Sequence, residues 1–162
     1  IFPRVESAER LAEAISWTKF PPVGIRGYGL TAIQVDFTSA GFNEIIQHVN
    51  QHTMVIFQIE TRTALDRREE LLSVPGIDAV MIGPADLSIS LGVPGDFQHP
   101  TLVTAMEQIR DSCVSRGIAP GTQTRSIAVA KFWKERGFRF LGCSNETAML
   151  LEKAKELTSA LA

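Results

Sequence analysis

Strand-like apolar runs alternate with helix-like periodic segments, and polar residues gather where those runs end. Together these features predict a parallel α/β fold and, within that class, a (β/α)8 barrel. Five strands are read, each followed by a helix, too few to close an eight-stranded barrel, so the chain supplies part of one. A doubly wound sheet would also hold five strands. It would more often place a glycine-rich turn after the first, whereas here that strand runs into "RVESAER". Arg4, Gln58, Glu60, Asp86 and Thr122 fall at or just beyond the carboxyl ends of four strands, where a barrel collects its chemistry.

In chain order, "IFPRV" reads as a short strand. Ser7 caps a helix whose Ala8, Leu11, Ala12 and Ile15 share a face, with Glu9 favourably placed in the first turn. "KFPPVGIRGYG" breaks that helix, since its prolines and glycines do not continue one. Phe42, Ile45, Ile46 and Val49 mark a second helix, and "TMVIFQI" is the next strand. A third helix spans about Ala64 to Leu72 and stops at Pro75 and Gly76, after which "DAVMIG" is a strand. Leu102, Met106, Ile109 and Cys113 trace a helical stripe that Gly117 ends. "GIAPGTQT" is a weak strand, Ser126 to Arg136 a helix and "FRFLGCS" the last strand. Asn145 caps a final helix carrying Leu150, Ala154, Leu157 and Leu161 on one side. No repeat, low-complexity tract or linker divides residues 1–162, so a single domain is expected.

Composition narrows the function classes. With 44% hydrophobic and 21% charged residues the chain is that of an ordinary globular protein, and a net charge of −2 gives no basic surface for nucleic acid or anionic lipid. No apolar run approaches the ~20 residues of a membrane span. The opening "IFPRVESAER" lacks a charged leader with an apolar region, so a cytoplasmic location is expected. Cys113 and Cys143 have neither the number nor the spacing for a disulfide framework or a zinc site, and are read as buried free thiols.

Glu60 and Asp86 each stand at the end of a hydrophobic strand, where a lone buried carboxylate is costly. Their separation of 26 residues is about one helix-plus-strand unit, which places them on adjacent parallel strands at one end of the sheet. Two carboxylates there suit a hard divalent cation such as Mg²⁺ or Mn²⁺, with water and substrate oxygens completing its shell. No His or Cys triad lies nearby to favour zinc. In "GPADLS", Gly83 permits a tight turn, and the amides after Pro84 are candidates to meet an anion such as a carboxylate. The alternative is that both acids simply cap the helices after their strands.

"IFPRVESAE", "FPPVGIRGYG", "FQIETRTAL" and "GIDAVMIGPADLSISLGVPGD", in this order and spacing, resemble the metal-dependent pyruvate aldolases of the HpcH/HpaI family. The resemblance implies a (β/α)8 barrel with Glu60 and Asp86 as ligands of a divalent cation, Mg²⁺, Mn²⁺ or Co²⁺. It implies Gln58 beside the keto acid and the backbone of Ala85 and Asp86 receiving the pyruvate carboxylate. It further implies a homo-oligomer in which the last helix, Asn145 to Ala162, docks on a neighbouring subunit. The activity implied is cleavage or formation of a carbon-carbon bond next to pyruvate in a 4-hydroxy-2-oxo acid. No Lys lies at a predicted strand end to serve an imine route.

Family chains carry roughly three further strand-helix units upstream, which supply a histidine base and an arginine that polarises the keto oxygen. His48, His52 and His99 do not lie in the matching motif and are expected at the surface, while Arg4 and Arg26 are not that arginine. "GCSNET" departs from the small-residue and Asp pattern commoner in the family. Two further outcomes stay open: a catalytically weak relative that binds metal and assembles, and a lyase of the citrate lyase β type acting on an acyl coenzyme A.

Overall fold

A computed structural model describes residues 1–30, 32–37 and 39–161. Four parallel strands, β1 (Ile56–Ile59), β2 (Ala79–Ile82), β3 (Ala119–Thr124) and β4 (Phe140–Cys143), form one sheet in the order β1-β2-β3-β4. The predicted first strand is reduced to one parallel bridge, Phe2 to Phe57, held by Phe2 N donating to Ile56 O and Gln58 N donating to Phe2 O. Two residues explain why pairing stops there: Pro3 has no N–H to offer, and Arg4 turns into the left-handed region at φ 54°.

The strand order never reverses. Right-handed crossovers that all step the same way place their helices on one face. That face carries the main core, in which Phe57, Ile59, Val80 and Ile82 meet Leu11, Leu71, Leu102 and Ile109. Each such side chain contributes about 1.5–3 kcal/mol by leaving water. The opposite face holds a smaller cluster of Ile56, Ala79 and Met81 with Ala119 and Phe140. Burial on both faces is why β2 reads as an unbroken hydrophobic run, while β1 is interrupted only by the half-buried Gln58.

Helices α1 (Ala8–Ser16) and α2 (Phe42–His52) precede β1, and the loop between them contains a 3-10 turn at Ala32–Val35. Ser7 caps α1 as expected, accepting from Arg10 N at 3.3 Å, but Ala14 and not Ala12 shares the buried face with Leu11 and Ile15. The predicted third helix is two short ones, α3 (Arg62–Asp66) and α4 (Arg68–Leu72), with the break at Arg67. Two helices join β2 to β3: α6 (Pro100–Val114), which carries the predicted stripe, and before it the unpredicted α5 (Pro84–Ser90). After β3 comes α7 (Ile127–Glu135), and after β4 comes α8 (Glu146–Leu161). Asn145 Oδ1 accepts from Ala148 N at the start of α8, as a cap should. Ala162, the last residue of the predicted exchanging segment, lies outside the described residues.

Cys113 is buried within α6, but Cys143 is exposed at the end of β4, which corrects the expectation of two buried thiols. No helix among the described residues is long and apolar enough to cross a membrane.

Candidate active site

On the face of the sheet away from the main core, registered residues form rows. Gln58 pairs with Met81, Met81 with Gly121 and Gly121 with Phe140. One step further toward the carboxyl ends, the same alternation brings Glu60, Gly83, Gln123 and Gly142 to the rim. The sheet therefore delivers Gln58 and Glu60 to a common surface from β1, with Gly83 close to both side chains.

Glu60 is 5% exposed, and its Oε1 accepts from Arg4 N at 3.0 Å. Its Oε2 lies against Gly83, where a Cβ would stand 2.8 Å from that oxygen and 3.3 Å from Gln58 Nε2. Gly83 has φ −87°, an ordinary value, so the glycine is required for space beside the carboxylate and not for the tight turn expected from the motif. Thr61 continues the support. Its Oγ1 donates to Glu6 Oε1 at 2.6 Å and accepts from Ala64 N, capping α3, while Arg67 Nη1 donates to the carbonyl of Glu6 at 2.8 Å.

Asp86 sits in the first turn of α5 with Pro84 as the first helical residue. Its side chain is 53% exposed, and its Oδ1 lies 3.9 Å from Arg4 Nη2. Both acids thus converge on Arg4, one through its amide and the other through its guanidinium. Gly83 brings no side chain to cap α5, and helix geometry leaves the amides of Ala85 and Asp86 without intrahelical acceptors. Ala85 and Asp86 are both exposed, so their amides stand at an accessible rim.

The other polar candidates separate. Thr122 is fully buried and donates to Ile82 O at 3.1 Å, so it belongs to the fold and not to the rim. Gln123, one residue on, is the exposed one; its Nε2 donates to Ser144 O at 2.9 Å, and its Oε1 occupies the space a Cβ on Gly142 would need. The alternation of β3 could have revealed it, had the strand's phase been readable in "APGTQT". His48 and His52 stack on exposed α2, with centroids 4.0 Å apart. His99 caps α6, its Nδ1 accepting from Thr101 N, and Arg26 lies over the Phe20 ring at 5.0 Å. None of the four adjoins the carboxylates through any of these contacts.

The family model for HpcH/HpaI aldolase/citrate lyase matches residues 1–150. The chain belongs to the HpcH/HpaI aldolase/citrate lyase family. It is 35% identical over 162 residues to a 4-hydroxy-2-oxo-heptane-1,7-dioate aldolase of Escherichia coli, covering 98% of this chain and 60% of that protein. Among solved structures, an HpcH/HpaI aldolase from Desulfitobacterium hafniense superposes with a TM-score of 0.88 at 32% identity, covering 99% of this chain and 62% of the other. A family protein from Burkholderia cenocepacia gives 0.85 at 31%, covering 99% and 63%. The chain therefore spans about three fifths of the relatives it matches.

Against this family background, the donor set is oxygen-only. Among the described residues no three His, Cys, Asp or Glu side chains come together, so a cation held here would take two carboxylates and draw its remaining ligands from water or substrate. That composition, with the room left at Gly83, fits a hard divalent ion and does not fit structural zinc. The guanidinium of Arg4 beside Asp86 is the discordant group.

Proposed function

We propose that this chain is the carboxyl-terminal part of a (β/α)8 barrel and carries the metal and keto-acid half of a pyruvate aldolase. The reaction is formation or cleavage of the carbon-carbon bond next to pyruvate in a 4-hydroxy-2-oxo acid. The observation that carries this reading is the convergence of Glu60 and Asp86 on Arg4 at the carboxyl ends of neighbouring strands. The aldolase relative at 35% identity supports the reaction class. The unreversed strand order and one-sided helices support the barrel.

In this reading Glu60 and Asp86 hold a divalent cation, Mg²⁺ or Mn²⁺ with Co²⁺ as a further candidate. When bound, the cation supplies Lewis-acid stabilisation of negative charge developing on the 2-keto oxygen. Gln58 presents its side-chain amide to the keto acid from the row below Glu60. The amides of Ala85 and Asp86 receive the substrate carboxylate, where the first turn of α5 is short of acceptors. Glu60 stays oriented because Arg4 N holds one oxygen and Gly83 leaves the other its space. A proton must also leave the 4-hydroxyl, and the contacts of His48, His52 and His99 lie on α2 and at the start of α6 instead of at Glu60. That task falls to residues outside this stretch of the barrel.

The last helix supports assembly. Leu150, Leu157 and Leu161 of α8 are 74%, 53% and 89% exposed, and a neighbouring subunit is the cover we propose for them. Titration of Mn²⁺ into wild type and Glu60→Gln tests the metal centre. We expect a loss of at least tenfold in affinity, and equal affinity in the two proteins would sink the reading.

A further inference from the structure

Arg4 is held in an unusual way for an exposed residue. Phe2 is paired with β1 on one side of it, and Glu6 is anchored to Thr61 and Arg67 on the other. Between these fixed points the backbone of Arg4 adopts φ 54°, a conformation that is costly for a residue with a Cβ. The result is that its amide meets Glu60 Oε1 while its side chain extends to Asp86. The same residue therefore touches both acids, with a fixed dipole on one and a full positive charge on the other.

The two contacts differ in strength. The amide contact is 3.0 Å to a buried carboxylate, whereas the guanidinium stands 3.9 Å from Asp86, with side-chain exposures of 66% and 53%. A pair this long and this exposed is held by charge alone and is released easily into water. Among the described residues the guanidinium has no shorter polar contact to retain it.

We infer that Arg4 is a positioning residue that stands in for the cation: its guanidinium neutralises Asp86 until a divalent ion arrives and must swing out for that ion to bind. This rests on the metal reading of Glu60 and Asp86. The amide remains on Glu60 throughout, so one half of the site stays preformed while the other is exchanged. Loading of the cation is then a competition, and removing the guanidinium tightens it, both by freeing Asp86 and by removing a positive charge close to a second one.

Arg4→Met separates the two roles, because it keeps the unbranched stem and the backbone amide and loses only the charge. At low ionic strength, calorimetric titration of the 162-residue chain should show Mn²⁺ bound about threefold to tenfold more tightly by Arg4→Met than by wild type. Arg4→Lys should stay near wild type, since it keeps the charge. In about 0.5 M NaCl the gap between Arg4→Met and wild type should close, as an electrostatic competition between exposed groups requires and a packing effect does not. If Glu60→Gln weakens Mn²⁺ while Arg4→Met leaves it unchanged or weaker, the Arg4 inference fails and the metal site stands. If Glu60→Gln binds as wild type does, the metal reading fails and the Arg4 inference falls with it.

Discussion

Gly83 shows at the scale of single residues how the site is protected by an absence. A methyl group there would stand 2.8 Å from Glu60 Oε2 and 3.0 Å from Glu60 Cβ, closer than packed atoms tolerate, while its φ would suit alanine. Gly83→Ala should therefore cost about 1–3 kcal/mol by overpacking and weaken Mn²⁺ binding as Glu60 is pushed aside. Thermal unfolding and metal titration of the variant check both, and an unshifted Mn²⁺ affinity would separate Gly83 from the site. Cys113 makes a second prediction at this scale. Burial pushes its thiol up from 9.0 to about 12, so in the native protein a thiol reagent near neutral pH should modify exposed Cys143 and spare Cys113. The stability this burial links to pH is fully present below the unfolded thiol's range and is lost as pH rises toward 12, because the unfolded chain ionises first.

Elements are tied together by polar groups as well as by the core. Between α4 and α6, Ser112 Oγ donates to Glu69 Oε1 at 2.5 Å and accepts from Arg68 Nε, and Arg116 Nη2 reaches Glu69 Oε2 at 2.6 Å. The Ser112 hydroxyl first, and the Arg116 guanidinium after it, hold the Glu69 carboxyl below its ordinary value. The stability this confers is present above the usual glutamate range and is lost as pH falls through the depressed value. Ser112→Ala should cost about 1–3 kcal/mol at neutral pH and make the acid limb of the stability curve shallower. Denaturant unfolding across pH measures both, and an unchanged acid limb would remove Ser112 as the cause. The helix α8 is the contrasting case, since it buries no residue among those described. Deleting the segment after Asn145 should move Tm by less than about 4 °C, equivalent to about 1 kcal/mol, while changing the sedimentation mass if a second copy covers the stripe.

Among the described residues the sheet is open, with the Phe2 bridge along one edge and β4 forming the other. Exposed edges of this kind invite association unless further chain or a partner covers them. The proposed reaction also needs a proton acceptor for the 4-hydroxyl, and the contacts of His48, His52 and His99 lie on α2 and at the start of α6. Loss of a general base typically costs about 10²- to 10⁴-fold, so on the proposed reading residues 1–162 alone should release pyruvate from a 4-hydroxy-2-oxo acid at least a hundredfold more slowly than a chimera completed with the two fifths of the Escherichia coli relative that this chain does not match. Comparable rates for the two would mean that a histidine of this chain serves as the base.

Periodicity and strand ends are enough to determine the parallel α/β class, the four sheet strands to within a few residues and the position of Glu60 and Asp86 just beyond the carboxyl ends of β1 and β2, because apolar runs, caps and breakers act locally. The same local signals misjudged "IFPRV", where only the lack of a donor at Pro3 and the kink at Arg4 in three dimensions end the pairing. They also missed α5, which is short and begins directly at the strand's end. Phase on β3 is illegible because Gly121 and the threonines carry no apolar contrast, so Thr122, expected at the rim, lies in the core and Gln123 takes the exposed position. Most of all, the role of Arg4 was out of reach of sequence. Its amide and its guanidinium each find a carboxylate 56 and 82 residues away, contacts that depend on strand register and on the placement of α5, and these exist only once the sheet has formed.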